Sequence, residues 1–357
     1  MTPELIAHYD QRVPRYTSYP TAPHFKPDVD SSTYAQWLSE LSSQTALSLY
    51  RHVPFCAELC LYCGCHTTVA RTYSPVASYV DLLEREIELV AKHLPGRMGV
   101  THIHWGGGTP TILSGSDLRR IMSLPERSFD IRPSAEIAVE IDPQTVTLEH
   151  VEALAGSGLN RASLGVQDFD PKVQKTINGI QSFEQTAKVT AWLRGAGVTG
   201  LNLDLMYGLP YQTTESVLRT SEQASQLAPD RIALFGYAHV PWMKRLQALL
   251  PEEAMPDAVR RVEQSTAAAS ALLEAGYFRS ASTILRSRMI RSSCASARAG
   301  CTGTSRGTPP TTRPPSSASE PPPSDLCLRA MSRMLRAPSP IARRPRTAGS
   351  PRCGAWP

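Results

Sequence analysis

The sequence predicts an α/β fold, a partial (β/α)6 TIM-like barrel followed by a disordered Arg/Pro/Ser-rich tail, and three observations predict it. Residues 46–277 alternate short, nearly continuous apolar runs with stretches of helical period, the pattern of a parallel sheet covered by helices. At least six such units occur in succession, which favours a barrel or partial barrel over an open dinucleotide-binding sheet. From Ser280 the apolar period stops and Arg, Ser, Pro and Ala take over.

The elements follow in order. LSLYRHV at 47–53 reads as the first strand, with a helix at about 75–94 as its crossover. THIHWGG (101–107) leads to a helix at about 115–125, and EIAVEID (136–142) to one at 147–157. RASLGVQD (161–168), LNLDLMYG (201–208) and RIALFGY (231–237) are followed by helical stretches at 182–195, 214–227 and 257–276. Several helices open on Ser, Thr or Asp, whose oxygens accept from free backbone N–H groups, and close on Gly, as in SFEQTAKVTAWLRGAG. No repeat of fixed period is present. Cysteines, a Gly-Gly-Gly run and isolated acids fall at the C-terminal ends of the strands, where (β/α) barrels keep their chemistry.

With 357 residues, 41% apolar and 19% charged, the chain suits one large domain or two ordinary ones, and is neither a disulfide-stapled miniprotein nor a collagen-like chain. No run of 18 apolar residues and no signal-peptide pattern occur, so the expectation is a cytoplasmic protein with no membrane span and reduced thiols. The net charge of +5 is unevenly spread. From Ser280 onward there are 13 Arg, no Lys and only Glu320 and Asp325 as acids, which leaves residues 1–279 at −6. A mildly acidic folded part argues against a nucleic-acid partner.

The segment FCAELCLYCGCH places Cys56, Cys60, Cys63 and Cys65 within ten residues, four of the eight cysteines. Structural thiols scatter along strands and helices, whereas these cluster. A structural zinc site pairs two ligand clusters across a spacer, and no second cluster appears between residues 67 and 279. Thiolates are the usual ligands of iron–sulfur clusters. If Cys56, Cys60 and Cys63 hold three irons of a cubane, the fourth iron is open to a small molecule, which suits chemistry more than electron storage.

C-x3-C-x2-C on the loop after the first strand of a partial barrel resembles the radical S-adenosylmethionine (SAM) superfamily. Adding Cys65, PRYTSYPTA (14–22), HWGGGTPT (104–111), VEIDP (139–143), GVQDF (165–169), DLMYGLP (204–210) and YAH (237–239), the chain is similar to the oxygen-independent coproporphyrinogen III oxidases from about residue 10 to 278. The resemblance implies a [4Fe-4S] cluster on Cys56, Cys60 and Cys63 whose open iron chelates SAM, and reductive cleavage of SAM to a hydrogen-abstracting radical. It implies oxidative decarboxylation of two propionates of coproporphyrinogen III to vinyls, giving protoporphyrinogen IX in haem biosynthesis. An electron donor and an electron acceptor are its implied partners, and the chain is expected as a monomer. Tyr50, Tyr62, Gly107, Gly108, Thr109, Glu140 and Ala238 are implied SAM contacts, with Gln167 and Asp204 at a second SAM molecule.

Taken singly these residues have plainer readings. The glycines suit close backbone approach or a tight turn; Glu140 suits ribose hydroxyls or a solvated strand end. Asp204, read like Gln167 as a strand-end residue, suits an ion pair or helix cap, and the tyrosines suit a core. Trp105 and His239 are read as packing residues. A tetracarboxylate substrate needs cations, for which Arg15 and Arg51 are candidates, unless they are exposed surface arginines. One departure stands out: the family's Asn-Arg, whose arginine meets the second SAM, is Asn178-Gly179 here, which removes that cationic contact.

Three domains are expected: an N-terminal substrate or cap segment (1–45), the barrel (46–279) and the tail (280–357). A basic arm or a Pro-rich linker are possible readings of the tail, but a shifted reading frame accounts for more. Plausible codons for Ser280–Ser292, read one base earlier, give Ile-Gly-Ile-Asp-His-Phe-Ala-Leu-Pro-Asp-Asp-Pro-Leu, similar to the family. GTSRGTPP (303–310) and SEPPPS (319–324) hide family-like segments in the same way. That reading expects the family's closing strands and C-terminal domain to be missing, with poor cluster binding and little turnover. Two alternatives remain: a haem-chaperone-like relative, which generally lacks the fourth cysteine and PRYTSYPTA, and an inactive fragment of the oxidase.

Overall fold

A computed structural model describes residues 2–10, 29–281 and 283–287. Helices α1 (Pro3–Tyr9) and α2 (Ser31–Ser39) precede strand β1 (Leu47–Val53), and a short ladder of β2 (Phe55–Cys56) with β3 (Thr68–Val69) follows it. Next come α3 (Ser74–Lys92), β4 (Gly99–Gly107), α4 (Gly115–Ser128), β5 (Asp130–Ile141), α5 (Leu148–Gly156) and β6 (Arg161–Gln167). The chain continues with α6 (Pro171–Ile177), α7 (Phe183–Gly195), β7 (Gly200–Tyr207), α8 (Thr214–Gln226) and β8 (Arg231–Gly236). It closes with α9 (Ala258–Glu274), β9 (Tyr277–Ala281) and β10 (Ile284–Ser287). The main sheet runs β1-β4-β5-β6-β7-β8-β10-β9. Its first six strands are parallel, and β10 is antiparallel to both neighbours.

All six expected strands and all six expected helices are present. The tail boundary is corrected: Ser280, Ala281 and Ile284–Ser287 are strand, because Tyr277, Ile284 and Leu285 still supply apolar side chains that the sheet buries. PRYTSYPTA, Arg15 and residues 288–357 lie outside the described residues. α1, α2 and α6 were not anticipated, being too short to show a helical period. None of the described helices is long and apolar enough to cross a membrane.

Strand alternation decides which side chains reach the barrel interior. In β1, Leu47, Arg51 and Val53 are buried on the helix-facing row, so Tyr50 and His52 occupy the other face. Register carries that inner row around the barrel: Tyr50 lies beside His104, and His104 beside Ala138. One layer on, Glu140 lies beside Ser163, Ser163 beside Asn202, and Asn202 beside Arg231. The row is polar and internally bonded, with Arg231 Nε donating to Asn202 Oδ1 at 2.8 Å and Asn202 Nδ2 to Ser163 Oγ at 2.7 Å. Arg161 pairs with Glu136 at 2.9 Å.

The helix-facing row contains one misfit. Arg51 is 3% exposed, and burial lowers its guanidinium to about 9. It lies 4.5 Å from the Trp105 ring centroid and donates to the Ile121 carbonyl at 3.3 Å. That carbonyl is available because α4 runs through Pro125, which has no N–H to give the residue four positions back. Both readings of Arg51, substrate ligand and exposed arginine, are therefore corrected: strand parity turns it beneath α4.

Candidate active site

The cysteine loop leaves the C-terminal end of β1 and is pinched at its base by the β2–β3 ladder. Thr68 N donates to Pro54 O and Ala70 N to Cys56 O, at 2.9 and 3.0 Å. Cys56 thus sits on ordered backbone, with its sulfur 3.1 Å from Thr67 Oγ1 and 3.5 Å from Thr109 Oγ1. Within the loop, Cys63 N donates to Cys60 O and Cys65 N to Cys63 Sγ, at 3.1 and 3.3 Å. None of the four is in a disulfide, and all are partly buried. Burial pushes Cys60 up to about 11 against a hydrogen bond from Tyr62, and the neighbouring Cys56 and Cys65 add to the rise. The hydrogen bond to Cys65, then burial, raises Cys63. Tyr62 is raised by burial and by the adjoining Cys60 and Cys63, and it also packs against a small core of Val173, Ile177, Leu209, Tyr237 and Leu250.

The end of β4 meets this loop edge to edge. Gly108 N donates to Val53 O at 2.8 Å and Thr109 N to Phe55 O at 2.7 Å, so the glycine run is stitched to the strand that carries Cys56. A side chain at Gly106 would begin 2.8 Å from the Glu140 carboxyl carbon. Gly107 adopts φ +117°, and a Cβ there would begin 2.7 Å from the His52 ring. Glu140 accepts from Gly107 N and meets His104 Nε2, both at 3.3 Å. His104 stacks on Tyr50 with centroids 5.6 Å apart, and the Tyr50 hydroxyl lies 3.1 Å from His52 Nδ1. His52 Nε2 in turn lies 2.8 Å from His66 O, back on the cysteine loop.

The structure therefore brings Tyr50, Tyr62, Gly107, Gly108, Thr109 and Glu140 onto or beside the elements that carry Cys56, Cys60 and Cys63. Gln167 ends β6 with φ +65°, a left-handed conformation that a non-glycine residue adopts at a cost and that recurs at functional sites. Asp204 is not at a strand end as expected. It lies inside β7, accepting from Asn202 Nδ2 at 2.8 Å and from Ser163 Oγ at 3.4 Å. Ala238 is exposed just beyond β8. Trp105 is buried packing, while His239 bridges the Tyr237 hydroxyl and Glu252, at 3.0 and 2.9 Å. A side chain at Gly179 would begin 3.6 Å from Ile177 and 3.9 Å from Tyr62, an open position beside the cysteine loop.

Sequence reasoning missed His52, His104 and Thr67. The first two were available from alternation, since they share the inner row with Tyr50. Thr67 gives no local signal, because it depends on the β2–β3 ladder folding the loop back.

The donor set fits an iron–sulfur cluster. Among the described residues no three His, Cys, Asp or Glu side chains surround one point as a single metal ion needs. A cubane asks for one thiolate per iron, and Cys56, Cys60 and Cys63, partly buried on one loop, can supply three. Burial by itself favours the neutral thiol at Cys60, and a bound metal's positive charge is what would favour the thiolate there. Hydroxyls on Cys56 and a backbone N–H on Cys63 supply the outer-shell hydrogen bonds that orient such ligands.

Comparison with known proteins agrees with this geometry. Residues 50–224 match the family model of the radical SAM superfamily. The chain is 54% identical over 272 residues to an oxygen-independent coproporphyrinogen III oxidase of Bradyrhizobium diazoefficiens, covering 76% of this chain and 60% of the relative. It is 42% identical over 274 residues to that of Paracoccus denitrificans, covering 77% and 61%. The solved coproporphyrinogen III oxidase of Escherichia coli, described as a radical SAM enzyme, superposes with a TM-score of 0.74 at 34% identity, covering 80% of this chain and 64% of that one. The chain thus spans about three fifths of the length of the curated relatives it matches. With the cysteine loop at the mouth of a partial barrel and the domain match across it, the chain belongs to the radical SAM superfamily.

Proposed function

We propose that residues 46–279 form the cluster- and SAM-binding part of an oxygen-independent coproporphyrinogen III oxidase, converting two propionates of coproporphyrinogen III to vinyls. The observation that supports it most is the stitched seam of Cys56, Thr109 and the glycine run, with Glu140 directly beneath. When bound, the cluster and SAM supply reductive radical chemistry that no side chain provides. The chain's own residues bind and orient. Cys56, Cys60 and Cys63 are the ligand set, with Cys65 left to its neighbour Cys63. Glu140, held by Gly107 N and His104, is the carboxylate proposed to accept from ribose hydroxyls. Gln167 and Asp204 line the same interior and are the positions proposed for a second SAM. The finer parts of the reading are an electron donor, an electron acceptor, a monomeric chain and a cytoplasmic location.

Anaerobic reconstitution of residues 1–279, or of a chain with the shifted frame corrected, tests this. The expected product is brown and carries four irons and four sulfides per chain, the content of one [4Fe-4S] cluster. Cys56→Ala, Cys60→Ala and Cys63→Ala each abolish it, while Cys65→Ala keeps it. A colourless protein holding one zinc would overturn the reading.

A further inference from the structure

Beyond β2 and β3 the cysteine loop has no secondary structure, yet elements far away in sequence hold its backbone at four points. Leu61 N donates to Ile177 O and Asn178 Nδ2 to Leu59 O, both at 2.9 Å, at the C-terminal end of α6. On the other flank, Gln247 Nε2 donates to Tyr62 O at 3.0 Å and Lys244 Nζ to Cys65 O at 3.1 Å. The last two carbonyls bracket Cys63.

Gln247 is the better specified of this pair. It is 2% exposed, in the short 3-10 helix Arg245–Leu249. Its Oε1 accepts from Val240 N at 2.6 Å, so the amide is turned with its NH2 toward Tyr62. Both ends of the amide are used, and the segment after β8 is thereby fixed to the loop after β1. A loop that must present three thiolates together otherwise has to order itself as it binds, and a preformed clamp removes that cost.

Resting on the proposed cluster, we propose that Gln247, assisted by Lys244, is a positioning residue for the Cys63 ligand, although it lies 185 residues downstream of Tyr62. It touches neither sulfur nor iron. It sets where the Cys63 corner of the loop stands and how far water reaches it.

Gln247→Leu removes both hydrogen bonds at similar size, Gln247→Glu keeps the acceptor for Val240 N but loses the donor to Tyr62 O, and Lys244→Met acts at a more exposed position. In the reconstituted full chain, chelator-driven bleaching is expected to be about fivefold faster for Gln247→Leu, the equivalent of one neutral hydrogen bond. The cluster's midpoint potential should shift with the changed solvent access. In the cluster-free chain Cys63 is expected to be alkylated faster by a similar factor. Gln247→Glu should behave like Gln247→Leu, and Lys244→Met should move all three readouts in the same direction by less. Unchanged bleaching, potential and alkylation in Gln247→Glu and Lys244→Met, with parental circular dichroism, would overturn the clamp. A parent chain that takes up no iron would count against the proposed function instead, and the alkylation comparison still decides the clamp.

Discussion

At the scale of single residues, Gly179 is the position where chemistry is missing and space is not. Its backbone has no positive φ, and a Cβ there meets only ordinary contacts at 3.6–3.9 Å. Gly179→Arg should therefore be accommodated and should tighten SAM binding at the proposed second site by about 1.5–3 kcal/mol, the range for a hydrogen bond to a charged group. Calorimetric titration of the reconstituted chain checks this; equal stoichiometry and affinity in both forms would remove the argument. Residues proposed on type and spacing, such as Cys56, Cys60 and Cys63, can be picked out from the sequence. Asn178 and Gln247 were not, because they act through backbone carbonyls of a loop more than a hundred positions away, and no local pattern marks such a bond.

At the scale of elements, the six parallel strands were legible because burial on both faces writes nearly continuous apolar runs. β9 and β10 were not, since a five-residue and a four-residue strand inside an arginine-rich stretch carry no readable period. Parity within a strand was underused: it turns Arg51 under α4, where Pro125 has freed a carbonyl to meet it. This pairing predicts a coupling. Arg51→Met alone should change stability by under about 1 kcal/mol, because relief of a buried charge is offset by orphaning the Ile121 carbonyl. In a Pro125→Ala background the helix supplies its own N–H, and the same Arg51→Met change should stabilise by about 1–3 kcal/mol. Urea unfolding of the four chains measures the cycle, and equal effects of Arg51→Met in the two backgrounds would refute it.

For the whole molecule, pH dependence separates buried carboxylates from capping ones. Burial raises Glu86, Asp142 and Asp168, so the folded chain binds their protons more tightly than the unfolded chain. Their contribution then improves as pH falls toward the ordinary values and is unfavourable above the raised ones. Glu86→Gln should be more stable than the parent near neutral pH, with the advantage shrinking as pH falls toward 4.5. An advantage that grows on acidification would contradict the sign. Asp168 accepts from Thr220 Oγ1 and Asp170 N, at 2.9 and 2.6 Å, and from Gln212 Nε2, so an amide in its place would meet donors with a donor. Because about two fifths of the relative's length has no matching counterpart in this chain, the 357-residue chain is expected to form little or no vinyl product from coproporphyrinogen III. Chromatography of an anaerobic reaction mixture checks this, and sustained product formation would show that the shorter chain suffices.

The strand order has a consequence for how the chain assembles. From β1 to β8 each new strand of the main sheet docks beside the one before it, so the barrel can grow vectorially during synthesis. The rule breaks at the last of the described strands, where β10 follows β9 in sequence yet lies between β8 and β9. Among the described strands β9 has no neighbour on the sheet until β10 emerges, and Ile284 to Arg286 pair with β8 on one side and with β9 on the other. The final hairpin therefore joins as a unit, and until it does the outer edge of β8 is an open ladder of N–H and C=O groups on which another strand can pair.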